Sequence, residues 1–280
     1  MGSNDYFSEV AAEYVKYRPT YPESFFDWLM DLCAERGLVW DCACGSGQAT
    51  VSLSKRFERV IATDLSEAQL LNGPNLENVE WRVANACESG IPDGVVDLVA
   101  VGQALHWFEL PKFWRECQRV LKGRGIVAAF GYGIAEFSNS EVQQAFLEFY
   151  RGTLGEFWNP RRKMVEEGYV GLDFPFEEVR MPNFEICNHW DAEQICGYCS
   201  SWSAMESYRQ KTGEDPIPEL LERLDGILKG GGVDVKWKMF GRVGMFRVEQ
   251  KGRAETPDLP ISLDELKNRG GSREPSKPSL

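Results

Sequence analysis

Short apolar runs recur along the first half of the chain, and segments with helical spacing lie between them. The runs predict five strands, at 38–42, 60–64, 79–83, 95–101 and 125–130. The fourth run is almost continuously apolar, which is typical of a strand buried on both faces of a parallel sheet. Helices are predicted at 23–36, 48–57 and 110–122, with a short one after Ser66. This alternation predicts an α/β fold with a Rossmann-like, doubly wound, mostly parallel sheet.

The pattern changes after residue 139. Helical spacing then predicts segments at 140–151, 191–211 and 217–229, and residues 174–187 are predicted to be irregular or an edge strand. Two apolar stretches on either side of Gly241-Arg242 predict an antiparallel hairpin that closes the sheet. The helices before it form an insert, and inserts of this kind are natural places for a substrate lid.

Five parts follow from these patterns. They are an N-terminal lid and first helix (1–37), a ligand-binding core (38–138), a helical substrate-side insert (139–230), the closing hairpin (231–249) and a tail (250–280). The tail has four prolines, no aromatic residue and mixed charges. Such a composition predicts disorder.

The first predicted strand ends in a turn of small residues with the pattern Asp41-x-Ala43-x-Gly45-x-Gly47. A strand, a glycine turn and a helix are how open α/β sheets hold nucleotide-like ligands. The spacing differs from the Gly-x-Gly-x-x-Gly of dinucleotide folds. At the end of the second predicted strand, the carboxylate of Asp64 is suited to accept both ribose hydroxyls of an adenosine. A helix N-cap is the alternative role for Asp64.

Two further strand ends carry small or polar residues. Asn85 and Ala86 follow the third strand and can flank an adenine edge, while Gln103 follows the fourth. His106 and Trp107 come next. His106 is the candidate general base if the acceptor is a hydroxyl or an amine. The alternatives are that His106 shapes the substrate pocket or packs within the aromatic motif.

Composition narrows the class of protein. The 280 residues carry a net charge of −12, which disfavours nucleic acid as a partner. No apolar run reaches the roughly 18–20 residues of a membrane span, and the N-terminus lacks a signal-peptide pattern, so a cytoplasmic protein is expected. Cys196-Gly197-Tyr198-Cys199 is similar to a disulfide-oxidoreductase motif, but it lies at a predicted helix start. Buried, reduced cysteines are the favoured interpretation, and no metal is expected.

Taken together, these motifs resemble the class I S-adenosylmethionine-dependent methyltransferases with a type 11 domain. More narrowly, they resemble the small-molecule branch that includes trans-aconitate methyltransferase. The resemblance covers about residues 5–249, and its pieces are Phe7, Ala11, Tyr14, Tyr17-Arg18-Pro19, Tyr21-Pro22, 41–47, Asp64, Ala86, 96–99, 104–108, 174–178 and 242–244. Ala43 departs from the glycine of many members and should be tolerated at negative φ. Asn85 stands where an acidic residue is common.

The resemblance implies roles for individual residues. S-adenosylmethionine would be the cofactor and S-adenosylhomocysteine the product, without a metal. Asp41 would lie near the amino group of the cofactor, Asp64 would hold the ribose, and the backbone of Ala43, Gly45, Gly47 and Gln103 would face the methionine part. Leu65, Asn85 and Ala86 would border the adenine, and Tyr14 and Arg18 would close a lid. The acceptor side would include Tyr21, His106, Trp107, Trp158 and Arg161.

The expected reaction is methyl transfer to a small organic molecule, with an oxygen acceptor such as a carboxylate. A carboxylate is ionised at pH 7 and requires no general base. Arg161, Arg162 and Trp158 are suited to orient an anionic acceptor, although surface salt bridges are an equal alternative. A monomer or weak dimer without nucleic-acid or membrane partners is expected. The alternatives are a protein or RNA methyltransferase, and a non-catalytic protein that binds the cofactor.

Overall fold

The computed structural model describes residues 17–247. Within this range the sheet has nine strands, in the order β3-β2-β1-β4-β5-β9-β6, with β7 and β8 also paired to β9. Their bounds are Leu38–Cys42 (β1), Arg59–Asp64 (β2), Val79–Val83 (β3), Val96–Gly102 (β4), Leu121–Tyr132 (β5), Glu136–Phe137 (β6), Glu177–Val179 (β7), Glu185–Trp190 (β8) and Val233–Met245 (β9).

The helices of the described range lie between these strands. They are Glu23–Leu32 (α1), Gln48–Ser54 (α2), Glu67–Leu70 (α3), Leu110–Val120 (α4), Ser140–Glu148 (α5), Arg162–Glu166 (α6), Ala192–Ser200 (α7), Ser203–Thr212 (α8) and Ile217–Leu228 (α9). The first helix ends four residues before its predicted end, because Cys33 has an extended backbone with φ −79° and ψ 125°. None of the helices in residues 17–247 is both long and apolar enough to cross a bilayer.

The mostly parallel α/β sheet is confirmed. The first five strands pair in parallel, and β9 runs antiparallel to β5. The chain builds outward from β1 to β3 and then returns to place β4 on the other side of β1. This reversal is a topological switch point, and in such sheets ligands bind beside the carboxyl ends of the strands flanking it.

The predicted closing hairpin is wrong. A single strand, β9, runs through Gly241 and Arg242 without a turn, and both residues pair with β5 in continuous register. The glycine has another physical reason, since a Cβ at position 241 would lie 2.8 Å from the carbonyl oxygen of Ala129. Close approach of two backbones, rather than a change of direction, therefore requires the glycine.

Two hydrophobic clusters cover the two faces of the sheet. Phe25 and Leu29 of α1 pack on one face, and Phe113 of α4 packs on the other. The alternation of β4 is visible in this division, since Leu98 belongs to the first cluster and Val99 to the second. Residues 96–101 are buried throughout, so the prediction of a strand covered on both faces is confirmed.

The insert is more broken than its helical spacing predicted. The segment 140–151 leaves the α-helix after Glu148 and continues as a π-helical turn, Phe149–Thr153. The segment 191–211 is two helices, α7 and α8, and Asp191 caps the first of them with a capping box. Residues 174–187 do contain edge strands, β7 and part of β8. The predicted lid before residue 17 and the tail 250–280 lie outside the described residues.

Candidate active site

The turn after β1 is built from left-handed backbone. Ala43, Gly45 and Gly47 have φ values of +54°, +57° and +91°. The condition that Ala43 keeps a negative φ is therefore wrong, and alanine there carries a strain that glycine would avoid. Gly47 is also fixed by packing, because a Cβ would lie 2.4 Å from the Cη2 atom of Trp81. These residues bring the backbone of the turn to the edge of the sheet.

Asp64 connects this turn to the end of β2. Its Oδ2 accepts the backbone N–H of Gly45 at 2.9 Å, and its Oδ1 accepts the N–H of Ser66 at 2.8 Å. Each carboxylate oxygen has a second lone-pair site, so both can still accept a hydroxyl. The same side chain therefore holds the loop and remains suited to a ligand diol.

Asp41 is buried at the end of β1, where 1% of its surface is exposed. The hydroxyl of Thr50 donates to its Oδ2 at 2.5 Å. Burial raises the pKa of Asp41 to about 7, the charge of Asp64 adds to the rise, and the Thr50 hydrogen bond opposes it. A cation placed beside this carboxyl would favour its ionised form.

A cavity of about 460 Å³ lies at these strand ends. Its volume is in the range of sites for cofactor-sized ligands. The predicted residues that line it are Arg18, Tyr21, Asp41, Ala43, Gly45, Asp64, Leu65, Asn85, Ala86, Gln103 and Trp107. Gly47 packs on Trp81 instead, and Tyr14 lies outside the described residues. The structure thus gathers the proposed cofactor residues around one space.

The chemistry of the lining fits S-adenosylmethionine. Two carboxylates, Asp41 and Asp64, face a space that would receive a sulfonium and an ammonium. Leu65 is 69% exposed although it is apolar, and with Ala86 it offers a surface for a flat base. The Oδ1 of Asn85 already accepts the N–H of Cys87 at 2.8 Å, so its amide N–H groups are the part suited to a ligand.

Two glutamines bring buried oxygens to the cavity. The Oε1 atoms of Gln69 and Gln103 are buried and have no hydrogen-bond partner within residues 17–247. Gln103 is otherwise fixed: its N–H donates to the carbonyl of Phe130 at 2.8 Å and its Nε2 to that of Tyr132 at 2.9 Å. Unpartnered buried oxygens are costly, and a bound donor group would satisfy them.

Several lining residues were missed from the sequence. They are Cys44, Ser46, Gln48, Ala49, Gln69, Ala84, Cys87, Gly102, Ala104, Phe108, Glu109 and Tyr132. Gln69 had a usable signal, since it is a polar residue in the first turn after a strand end. Tyr132 ends β5, another carboxyl end at the same edge of the sheet.

His106 lies in the 3₁₀ turn Leu105–Trp107 and is 8% exposed. Its ring centroid is 4.7 Å from that of Trp107, and Trp107, not His106, is among the described residues that line the cavity. Burial lowers the pKa of His106 to about 4, and the charges of Arg162 and Arg161 lower it further. The imidazole is therefore neutral at pH 7, and its Nδ1 is buried without a partner in the described range.

Two arginines stand beside this turn. The Nη1 of Arg161 donates to the carbonyl of Trp107 at 2.8 Å, and the Nε of Arg162 donates to the Tyr150 hydroxyl at 3.1 Å. The Arg162 guanidinium also lies 4.9 Å from the ring centroid of Trp158. Neither arginine forms an ion pair with any residue from 17 to 247. Trp158 lines a separate cavity of about 390 Å³ that Arg162 shares.

The Cys-x-x-Cys sequence lies within α7. Cys196 and Cys199 are buried free thiols, and burial raises the pKa of Cys196 to about 12. Such thiols stay protonated at neutral pH and are poor nucleophiles. Within residues 17–247, no group of three metal-ligating side chains is close enough to hold an ion.

Comparisons with known proteins agree with this geometry. Residues 40–129 match the family described as "Methyltransferase domain". A Dictyostelium discoideum protein named as a methyltransferase is 34% identical over 224 residues, which cover 79% of this chain and 85% of that protein. A Schizosaccharomyces pombe protein named as an uncharacterized methyltransferase is 26% identical over 234 residues, covering 81% of this chain and 90% of that protein.

A solved structure is also similar. It is described as that of a type II methyltransferase from Anaeromyxobacter dehalogenans, with 37% identity and a TM-score of 0.76. The match covers 83% of this chain and 100% of that one. The chain belongs to the class I S-adenosylmethionine-dependent methyltransferases and is an enzyme of that family.

Proposed function

We propose that this enzyme methylates a small organic acid on a carboxylate oxygen, as expected for the branch that resembles trans-aconitate methyltransferase. The observation that carries the proposal is the pair Arg161 and Arg162, which lie beside the cavity wall without an ion-pair partner in residues 17–247. The chain has 43 acidic and only 31 basic residues. In such a protein, two unpaired guanidinium groups next to a cavity favour an anionic ligand.

The state of His106 supports the same acceptor class. With its pKa near 4, His106 is a weak base at pH 7 and is ill suited to remove a proton from a hydroxyl or an ammonium. A carboxylate needs no such removal, since it is already ionised. We infer that His106 supports the position of Trp107 and shapes the acceptor side.

Most of the catalytic demand is placement. When bound, S-adenosylmethionine supplies a methyl group that its sulfonium charge has already activated. The protein must align the acceptor and exclude water. Tyr21, Trp107 and Tyr132 line the cavity with aromatic surface, which suits that task. Arg161 fixes the Trp107 carbonyl and so couples the cationic side to the aromatic wall.

The cofactor roles are part of the same proposal. Asp64 would bind the ribose, Asp41 the ammonium, and Leu65 with Ala86 the adenine. Among the residues the structure describes, Arg18 is the basic side chain that lines the cavity, and it would face the cofactor carboxylate. We further propose a cytoplasmic, metal-independent monomer or weak dimer that does not act on nucleic acid.

A transfer assay with labelled S-adenosylmethionine tests the acceptor class. The panel comprises small mono-, di- and tricarboxylic acids, phenols and amines, with basic proteins and RNA as competitors. We expect base-labile methyl esters from the acids, and we expect His106→Gln to retain this activity. Label in phenols or amines alone, in protein or in RNA would contradict the proposal.

A further inference from the structure

We propose that the inner residues of the Cys196-Gly197-Tyr198-Cys199 sequence hold Arg18 against the cofactor cavity, so that Gly197, Tyr198 and the Ser201 carbonyl are positioning residues for cofactor binding. The inference depends on the proposed contact of Arg18 with the cofactor. It gives the Cys-x-x-Cys sequence a role in which the two thiols take no part.

The first contact is between Tyr17 and Gly197. A Cβ at position 197 would lie 2.5 Å from the Cδ2 of Tyr17, 2.6 Å from its Cγ and 2.7 Å from its Cδ1. The ring therefore rests directly on the backbone of α7. Glycine is a poor residue for a helix interior, and here it leaves the space that the ring occupies.

The second contact holds Arg18 itself. Its Nη2 donates to the carbonyl of Ser201 at 2.8 Å, and its guanidinium lies 5.8 Å from the ring centroid of Tyr198. Ser201 is the C-cap of α7, where the helix dipole and unpaired carbonyls favour a cation. Both the hydrogen bond and the ring stabilise one position of the arginine.

The support beneath these contacts is rigid. Tyr198 is 3% exposed, and its ring lies 5.2 Å from that of Trp202, 5.5 Å from that of Trp190 and 5.6 Å from that of Trp237. Aromatic contacts of this kind leave the tyrosine little freedom. Because Arg18 also lines the cavity, a displacement at α7 is transmitted to the cofactor.

Charge gives the arm its purpose. The cavity is lined by the carboxylates of Asp41 and Asp64, which would repel the carboxylate at the methionine end of the cofactor. Arg18 is the cation that offsets this among the described lining residues. An Arg18 that is not held would be free to turn toward solvent, and the carboxylate would lose a fixed partner.

A matched pair of variants tests the inference. Gly197→Ala places a methyl group where Tyr17 lies, whereas Gly226→Ala in α9 places one where no atom lies within 4 Å. Both improve helix propensity. Calorimetry with S-adenosylhomocysteine should show a loss of at least about tenfold in affinity for Gly197→Ala and none for Gly226→Ala. The thermal midpoint should not fall in step with the affinity.

Tyr17→Ala completes a double-mutant cycle. This variant should weaken S-adenosylhomocysteine binding by a similar factor, and Gly197→Ala should add little in its background because the clash is gone. Wild-type affinity in Gly197→Ala, or an undiminished loss in the Tyr17→Ala background, would overturn the inference. The acceptor proposal is tested separately by the assay panel, and a failure there leaves these affinities unchanged.

Discussion

The two sides of the cavity are built in opposite ways. The cofactor side has carboxylates and a left-handed backbone turn at the ends of β1 and β2, with Asp41 and Asp64 as its charges. The acceptor side has aromatic rings and the guanidinium groups of Arg161 and Arg162. Negative groups suit a cationic cofactor and positive groups suit an anionic acceptor. The difference teaches that each side can be altered while the other is kept.

The largest effect is expected on the cofactor side, from Asp64→Ala. The variant loses two hydrogen bonds to a charged group, each worth about 1.5–3 kcal/mol, and it leaves the N–H groups of Gly45 and Ser66 without their acceptor. Affinity for S-adenosylhomocysteine should fall by about a hundredfold or more in calorimetry. Asp64→Asn keeps one carbonyl oxygen and should lose less. Equal affinity in Asp64→Ala would show that the ribose lies elsewhere.

The next effect belongs to the acceptor side. The double variant Arg161→Gln with Arg162→Gln should lower kcat/KM for the acid acceptor by about 10- to 100-fold, since charge-assisted hydrogen bonds are lost. Affinity for S-adenosylhomocysteine should stay within about twofold. Arg223→Gln is the control, because Arg223 pairs with Glu148 on the surface, 2.6 Å away. Equal losses of cofactor and acceptor binding would break the separation of the two sides.

The cofactor half of the site could be predicted because its parts share one geometric rule. Parallel strands end at the same edge of the sheet, so Asp41, Asp64 and Gln103 meet there although they are distant in sequence. Each stands at a strand end that hydrophobic patterning reveals. Their side-chain chemistry then indicates the ligand.

The acceptor half could not be predicted in the same way. Its residues come from a 3₁₀ turn and the insert, where the backbone follows tertiary packing rather than a period. Trp158 shows the limit, since the sequence grouped it with the substrate residues but the structure places it in a neighbouring cavity. Gly241 was misinterpreted for a related reason, because a close approach of two strands leaves no local signal.

A moderate effect is expected from pH at Asp41. Its pKa is about 7 in the fold and near 4 in the unfolded chain, so between these values the folded state holds a proton that the unfolded state has released. Stability from this group is therefore full below pH 4 and is lost as pH rises toward 7. Melting at pH 5 and pH 8 without ligand should show the midpoint of Asp41→Asn rising relative to wild type. A pH-independent difference would remove Asp41 as the titrating group.

The smallest effect sharpens the account of the turn. Ala43 has φ +54°, and glycine adopts that conformation without the steric cost of a Cβ. Ala43→Gly should raise the free energy of unfolding by up to about 1 kcal/mol, after the greater entropy of the unfolded glycine is subtracted. Urea unfolding measures this change. Loss of stability would mean that the turn does not keep its left-handed backbone.

A crystal structure with S-adenosylhomocysteine bound tests the central claim most directly. The account predicts the ribose hydroxyls within hydrogen-bond distance of the Asp64 carboxylate, the adenine against Leu65 and Ala86, and the sulfur facing the wall of Tyr21 and Trp107. A ribose away from Asp64, or an adenine on the Trp107 side, would contradict it.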